Sequence, residues 1–282
     1  MKLKISGLTK YIFFRTIQYL ATIFSGVTIT FFIVKAMPVN AVEAMLASII
    51  RMGQVMDPAG LMVLRKTFYE LLGIGGSPWE TFFIFLKRVF TFDFGPSIIS
   101  YPTPASEMVF LKLPWTIGLL SISTLIAWII GNILGVISAY FRSRRFSKVL
   151  ESVAITLYPI PYYIMALVLI MLFAYFIRIF PQGGGMSIIS ERLTLEVILN
   201  IIWHSILPAL SIIIPEALGW AFLSSRALSI QVMVEDYIDF AELRGVQKNQ
   251  ILKKYLLRNI LPPQITNLAL TLGGIFNGAL LT

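Results

Sequence analysis

The chain has 282 residues, 57% of them hydrophobic and only 13% charged, with a mean hydropathy of +0.82. A soluble domain of this length cannot cover so much apolar surface with polar side chains, so the composition places the chain in a lipid bilayer. The absence of cysteine excludes disulfides and thiolate chemistry, the single His204 excludes clustered imidazole ligands, and the net charge of +9, carried by loops between apolar runs, is read as membrane orientation rather than as nucleic-acid binding.

A helix needs about 20 predominantly apolar residues to cross the hydrocarbon core, because each backbone N–H and C=O must be satisfied inside the segment. The first such window, 11–34, follows Lys2, Lys4 and Lys10. It has the outline of a signal peptide, but its apolar run is too long and no small-residue cleavage site follows, so a retained helix is expected. The connection 35–113 is expected outside. From Pro78-Trp79-Glu80 it carries Phe82, Phe83, Phe85, Phe90, Phe92 and Phe94 interspersed with Lys87, Arg88 and Asp93, which predicts an amphipathic helix at the interface or against the ends of the bundle.

The second window, 117–140, carries Gly131 and Gly135, a small-xxx-small face that favours close helix contact. The third is 149–177, with Pro159 and Pro161 breaking its hydrogen bonding, and Gly183-Gly184-Gly185 beyond it reads as an external turn. In the fourth, 201–223, Pro208 and Pro215 fix kinks or hinges, and His204 lies near the outer end as an interfacial or hydrogen-bonded residue. Glu216 is the one acidic residue well inside a window. A carboxylate in hydrocarbon is costly, so two readings stay open: it faces the translocation path, to meet a cationic amine or to gate, or it makes a structural hydrogen bond to Ser224 or Ser225. The fifth window is 260–281. Pro262 and Pro263 near its start are tolerable where the first N–H groups lack internal partners.

Between the last two windows lies 224–259. Val234, Tyr237, Ile238 and Ala241 recur at helical spacing beside an acidic stripe of Glu235, Asp239 and Glu242, and Gly245 sits where a helix would end in a left-handed conformation. One reading is a solvated connector held by pairs such as Asp239 with Arg244 or Lys248; the other is a docking helix. Basic residues cluster at Lys2, Lys4, Lys10 and Arg15, at Arg142, Arg144, Arg145 and Lys148, and at Arg226, Arg244, Lys248, Lys253, Lys254 and Arg258. These clusters alternate with the windows, which predicts all three, and the N-terminus, on the cytoplasmic side.

The stretch Asp239-Phe240-Ala241-Glu242-Leu243-Arg244-Gly245 resembles the EAA loop of permease subunits of ABC importers, with Asp for the Glu and Phe for the first Ala. Arg258-Asn259-Ile260-Leu261-Pro262 is similar to the corresponding ending in the dipeptide, oligopeptide and nickel branch. The same order of pieces continues in Asp93-Phe94-Gly95-Pro96-Ser97, Leu113-Pro114-Trp115-Thr116, Ile160-Pro161-Tyr162-Tyr163, Phe180-Pro181-Gln182-Gly183 and the segment from His204 to Ala209. Met37-Pro38-Val39-Asn40 departs from that branch's P-G-D-P.

The resemblance implies an all-α polytopic membrane protein, a type I ABC importer-like bundle in a prokaryotic cell membrane, as a single domain over 1–282. Five spans are seen, and a sixth is expected beyond Thr282, missing from the chain as given. It implies a coupling loop at 224–259, with Tyr237, Asp239, Ala241, Glu242, Arg244 and Gly245 as its contact surface. It also implies a second homologous permease, two cytoplasmic ATPase subunits that bind ATP and Mg, and an external solute-binding protein. The chain has no G-x-x-x-x-G-K-[ST] phosphate loop, since Gly73-Ile74-Gly75-Gly76 and Gly183-Gly184-Gly185 both lack the lysine, so hydrolysis belongs to separate subunits and no enzyme activity or metal site is expected on this chain. The alternative is a stand-alone secondary transporter or channel with Glu216 as ion-coupling carboxylate.

Overall fold

The computed structural model describes residues 7–36, 40–51, 57–73, 75–97, 100–185 and 194–274, and among them there is no named strand, only an isolated bridge between Pro96 and Pro104. The chain is all-α and polytopic. By its contacts it divides into two compact units, 1–112 and 113–282.

In the first unit, α1 (Gly7–Ala36) is a 30-residue apolar helix with Phe31 as its buried residue. Two elements that hydropathy windows do not separate follow it, α2 (Ala41–Arg51) and α3 (Pro58–Leu72), which close Val42, Met45, Leu46, Ile49 and Phe68 into a small core of their own. Asp57 caps α3 by accepting from the Gly60 N–H, with Pro58 pre-set in the first turn. The aromatic run forms α4 (Pro78–Thr91) as expected, started by a reciprocal Ser77–Glu80 capping box. Its Phe82 and Phe85 meet Phe31 at 5.2 and 5.3 Å between ring centres, so this helix packs on α1.

α5 (Ala105–Tyr140) has most of its length, from Leu113 on, within the second unit. The fourth window is part of a single 39-residue course, Leu195–Met233, built of α8 (Leu195–Pro215), a π-helical segment Glu216–Ala221 and α9 (Phe222–Met233). The third window is not one straight helix: α6 (Arg145–Leu157) and α7 (Tyr162–Leu169), prolonged by a π-helical segment to Phe176, meet at 101° across Pro159 and Pro161. With α1, the described residues thus hold three helices long and apolar enough to cross a membrane, or four if the bent pair is one crossing.

Contacts within the second unit give the relative directions of these helices. Gly131 faces Ala217 and Ala221, Gly135 faces Phe222 and Ser225, and Ser138 meets Arg226, so α5 and α9 advance in the same direction. The pair α6–α7 runs the other way: Glu151 bonds Arg226, Tyr158 backs onto Gly219, Leu169 and Ala174 pack with Leu207, and Phe180 lies 4.6 Å from Trp203. Despite its bend it runs alongside the Leu195–Met233 helix from Arg226 back to Trp203. Hence Arg142–Lys148 and the end of α9 lie on the same side of the bundle, as the charge pattern predicts.

The small-residue face of α5 is what permits this packing. A Cβ at Gly135 would lie 2.6 Å from Ser225 Cβ and 2.8 Å from the Phe222 carbonyl. Polar side chains tie the same layer: Ser225 donates to the Asn132 carbonyl (3.0 Å), Gln264 Nε2 to Ser224 Oγ (2.9 Å), and Trp128 Nε1 to the Gln264 carbonyl (3.0 Å). The fifth window is described only to Gly274. There α11 (Lys248–Gln250), a π-helical segment Ile251–Leu257 and α12 (Arg258–Gly273) form one uninterrupted rod, so Pro262 and Pro263 lie inside it rather than at its start. The wider π turns just before them carry the helical course up to the two residues that cannot donate.

Candidate functional site

The loop after α9 contains one short helix, α10 (Asp236–Leu243). Glu235 before it is extended (φ −81°, ψ 134°), and after it the Gly245 and Val246 N–H groups return to the Glu242 and Ala241 carbonyls. Gly245 has φ +74°, the left-handed turn expected of a glycine there. Ile238 and Ala241, 2% and 3% exposed, face inward. Ile238 enters a cluster with Val136 of α5, Ile251 and Leu256 of the π-helical segment, and Ile260 of α12. With Leu228, Val232 and Met233 of α9 packed against the same cluster, α10 is seated on α5, α9 and the Lys248–Gly273 rod.

Two of its polar residues, Tyr237 and Glu242, are turned toward the chain's own bundle. The Tyr140 hydroxyl donates to Glu242 Oε1 (3.4 Å), Asn259 Nδ2 donates to the Tyr237 hydroxyl (3.1 Å), and the Tyr237 ring stacks on Tyr255 at 6.5 Å. Partial burial, reinforced by the Glu235 carboxylate, pushes the Tyr237 phenol above its ordinary range, so it stays neutral. Ion pairs among the described residues join Glu43 to Arg65 and Glu151 to Arg226; Asp239 pairs with neither Arg244 nor Lys248. Arg244 instead lies 4.5 Å over the ring of Phe240.

The expected contact set thus divides. Tyr237, Asp239, Glu242, Arg244 and Gly245 are exposed, whereas Ala241 is buried and seats the helix instead of reaching outward. Val234 does not join the apolar face: it is 72% exposed, because the extended Glu235 breaks the helical phase between 234 and 237. The outward apolar residues are Phe240 and Leu243, the latter 86% exposed, and their spacing of three was the sequence signal for a second apolar face.

Glu216 opens the π-helical segment immediately after Pro215 and lines a cavity of about 400 Å³. The cavity is walled by Leu120 and Thr124 of α5, by Tyr158 and Tyr162 at the bend, by Trp220, and by Thr271 of α12. Tyr158 and Trp220 are stacked, 6.1 Å apart and 23° from parallel, which Gly219 permits by letting the Tyr158 backbone come close. The serines proposed as partners for Glu216 are engaged elsewhere, Ser224 with Gln264 and Ser225 with Asn132. His204 is hydrogen-bonded as expected, its Nδ1 2.8 Å from the Asn200 carbonyl. No cluster of His, Asp and Glu among the described residues is arranged to hold a metal ion.

Residues 131–282 match the family described as binding-protein-dependent transport system inner membrane component. Among curated proteins, the chain is 30% identical to the oligopeptide transport system permease protein AppB of Bacillus subtilis over 95% of its own length and 80% of that protein. It is 31% identical to the dipeptide transport system permease protein DppB of the same organism, over 70% and 59%. It is 30% identical to the probable D,D-dipeptide transport system permease protein DdpB of Escherichia coli, over 80% and 72%. These matches favour a transport component over either an enzyme or a stand-alone ion-coupled carrier. The chain belongs to the inner membrane components of binding-protein-dependent transport systems, as a permease subunit of an ABC importer.

Proposed function

We propose that this chain forms half of the membrane path of an ATP-driven importer for peptides or related solutes, in a prokaryotic inner membrane with its N-terminus in the cytoplasm. Its partners are a second homologous permease, an external solute-binding protein, and two cytoplasmic ATPases that bind ATP and Mg. The names of its relatives support the peptide branch. α10 is the handle. Asp239, Arg244, Phe240 and Leu243 meet the ATPase, Gly245 sets the reversal that presents them, and Tyr237 and Glu242 carry displacement into α12 and α5.

One observation carries this reading. α10 is fixed on its inner face by Ile238 and Ala241 while leaving Phe240 and Leu243 uncovered, as expected of a rigid part that fits a groove in another protein. Contacts that differ between nucleotide states then shift the bundle between inward-open and outward-open forms.

The chain is free of cysteine, so a single Leu243→Cys can be cross-linked without background. With the ATPase subunits co-expressed, Leu243→Cys should cross-link to one of them and Ile238→Cys should not. Cross-linking of Leu243→Cys to lipid-soluble reagents alone, with no nucleotide-hydrolysing partner captured, would sink the assignment. Gly245→Val, which forces a branched side chain into a left-handed conformation at roughly 1–2 kcal/mol, should weaken ATPase association while membrane insertion persists.

A further inference from the structure

Within the second unit, the cavity beside Glu216 combines features that the importer reading leaves unexplained. Its carboxylate lies in the middle of a 39-residue apolar course. The two serines that follow it on the same course do not reach it: Ser225 donates to the Asn132 carbonyl and Ser224 Oγ accepts from Gln264. Among the described residues, no lysine or arginine lines the cavity. Beside the carboxylate the lining carries three aromatic rings, Tyr158, Tyr162 and Trp220, the first and last stacked, together with the hydroxyls of Thr124 and Thr271.

A carboxylate inside a membrane bundle is retained where a cation or polar group reaches it, and ring faces carry the negative side of an aromatic quadrupole, which attracts ammonium groups. We propose that Glu216 with Tyr158, Tyr162 and Trp220 forms a subsite that receives an ammonium group of the transported solute. This rests on the importer reading, which makes the space part of the solute's route. The ammonium has two sources in a peptide, the free α-amino end and a lysine side chain, and both carry the same chemistry. The cavity is large enough for such an end and its first side chain, but not for a long peptide, so the subsite holds one end while the rest of the solute lies elsewhere in the path.

The test uses the assembled importer. Equilibrium binding of radiolabelled lysinamide to the detergent-solubilised complex requires no turnover. Wild type should bind it, and Glu216→Gln should bind about tenfold more weakly or worse, the scale of losing a charge-assisted contact. Trp220→Leu, which keeps the charge, should also weaken binding, and Glu216→Asp should recover part of it. Equal binding in wild type and Glu216→Gln, including none in either, overturns the proposal.

ATP-driven uptake in proteoliposomes of Ala-Ala-Ala, Ala-Lys-Ala and Ala-Glu-Ala then separates the two sources. If Glu216→Gln slows only Ala-Lys-Ala, the side-chain ammonium is the group held; if it slows all three alike with ATP hydrolysis retained, the α-amino end is. Should wild type bind lysinamide through Glu216 yet move none of the three, the peptide reading fails while the subsite stands.

Discussion

Around α10 two polar side chains are turned back onto the chain, Tyr237 to Asn259 and Glu242 to Tyr140, and the apolar groups left facing outward are Phe240 and Leu243. Around Glu216 the balance is reversed: apolar and aromatic walls are packed against one another, and the group left over is a carboxylate. What a region leaves unsatisfied within its own chain indicates what it is built to meet. The first lacks an apolar groove, the second a positive charge. Both depend on one packed layer, the face of α5 against α9, which lies between them.

That dependence gives the severest way to break the comparison. Gly135→Val would press a branched side chain into the Phe222 carbonyl and Ser225, and should cost about 3 kcal/mol, seen as a lowered thermal midpoint of the purified protein with both regions disturbed together. An unchanged midpoint would mean that the two regions do not share this support. Next in size, Ile238→Ala should cost about 2–3 kcal/mol locally, so that amide exchange rises across α10 while the Glu216–Ala221 segment keeps its protection.

The remaining predictions sharpen the contrast. Leu243→Ser removes an 86% exposed side chain. It should leave stability within about 0.5 kcal/mol yet weaken ATPase affinity by about 1–2 kcal/mol, measured by titration of the solubilised complex. The smallest effect is expected for Tyr237→Phe, which loses the acceptor for Asn259. About 1 kcal/mol of linkage between α10 and α12 should disappear, seen as more ATP hydrolysed per solute moved while ATPase affinity is retained.

Features set by local chemistry were legible in the sequence. The aromatic run after Ser77-Pro78 gave α4 because its cap and its periodicity lie within a few residues, Gly245 gave its turn, and Gly131 with Gly135 gave the close α5–α9 contact. Features set by distant packing were not. Pro159 and Pro161 marked where the window 149–177 breaks, but neither they nor its hydropathy carries an angle, so the 101° of the bend could not be read. The α2–α3 hairpin escaped because a window tuned to membrane crossings passes over 11- and 15-residue helices with a private core.

In the loop, helical spacing was extended through Glu235, which is not helical, and this misplaced Val234. The same spacing named Ala241 correctly as part of an apolar face, but whether that face turns to a partner or to the chain's own bundle is decided by Val136, Ile251 and Ile260, which lie far from it in sequence. Glu216 stood out for its charge alone. Its aromatic surroundings come from the bend, and no stretch of sequence brings Tyr158 to Trp220.

The rod from Lys248 to Gly273 begins one turn past Gly245 and continues to the wall of the Glu216 cavity, where it contributes Thr271. At about 1.5 Å per residue it is close to 40 Å long, and Pro262 and Pro263 interrupt its hydrogen bonding without ending its course. A small rock at the foot of such a beam becomes a larger sweep at its tip, so a few ångströms of travel by α10 would suffice to widen or pinch the chamber holding the carboxylate. On the reading proposed for α10 and Glu216, engine stroke and cargo grip would be two ends of one crank, with the paired prolines setting how much of the stroke is absorbed along the way.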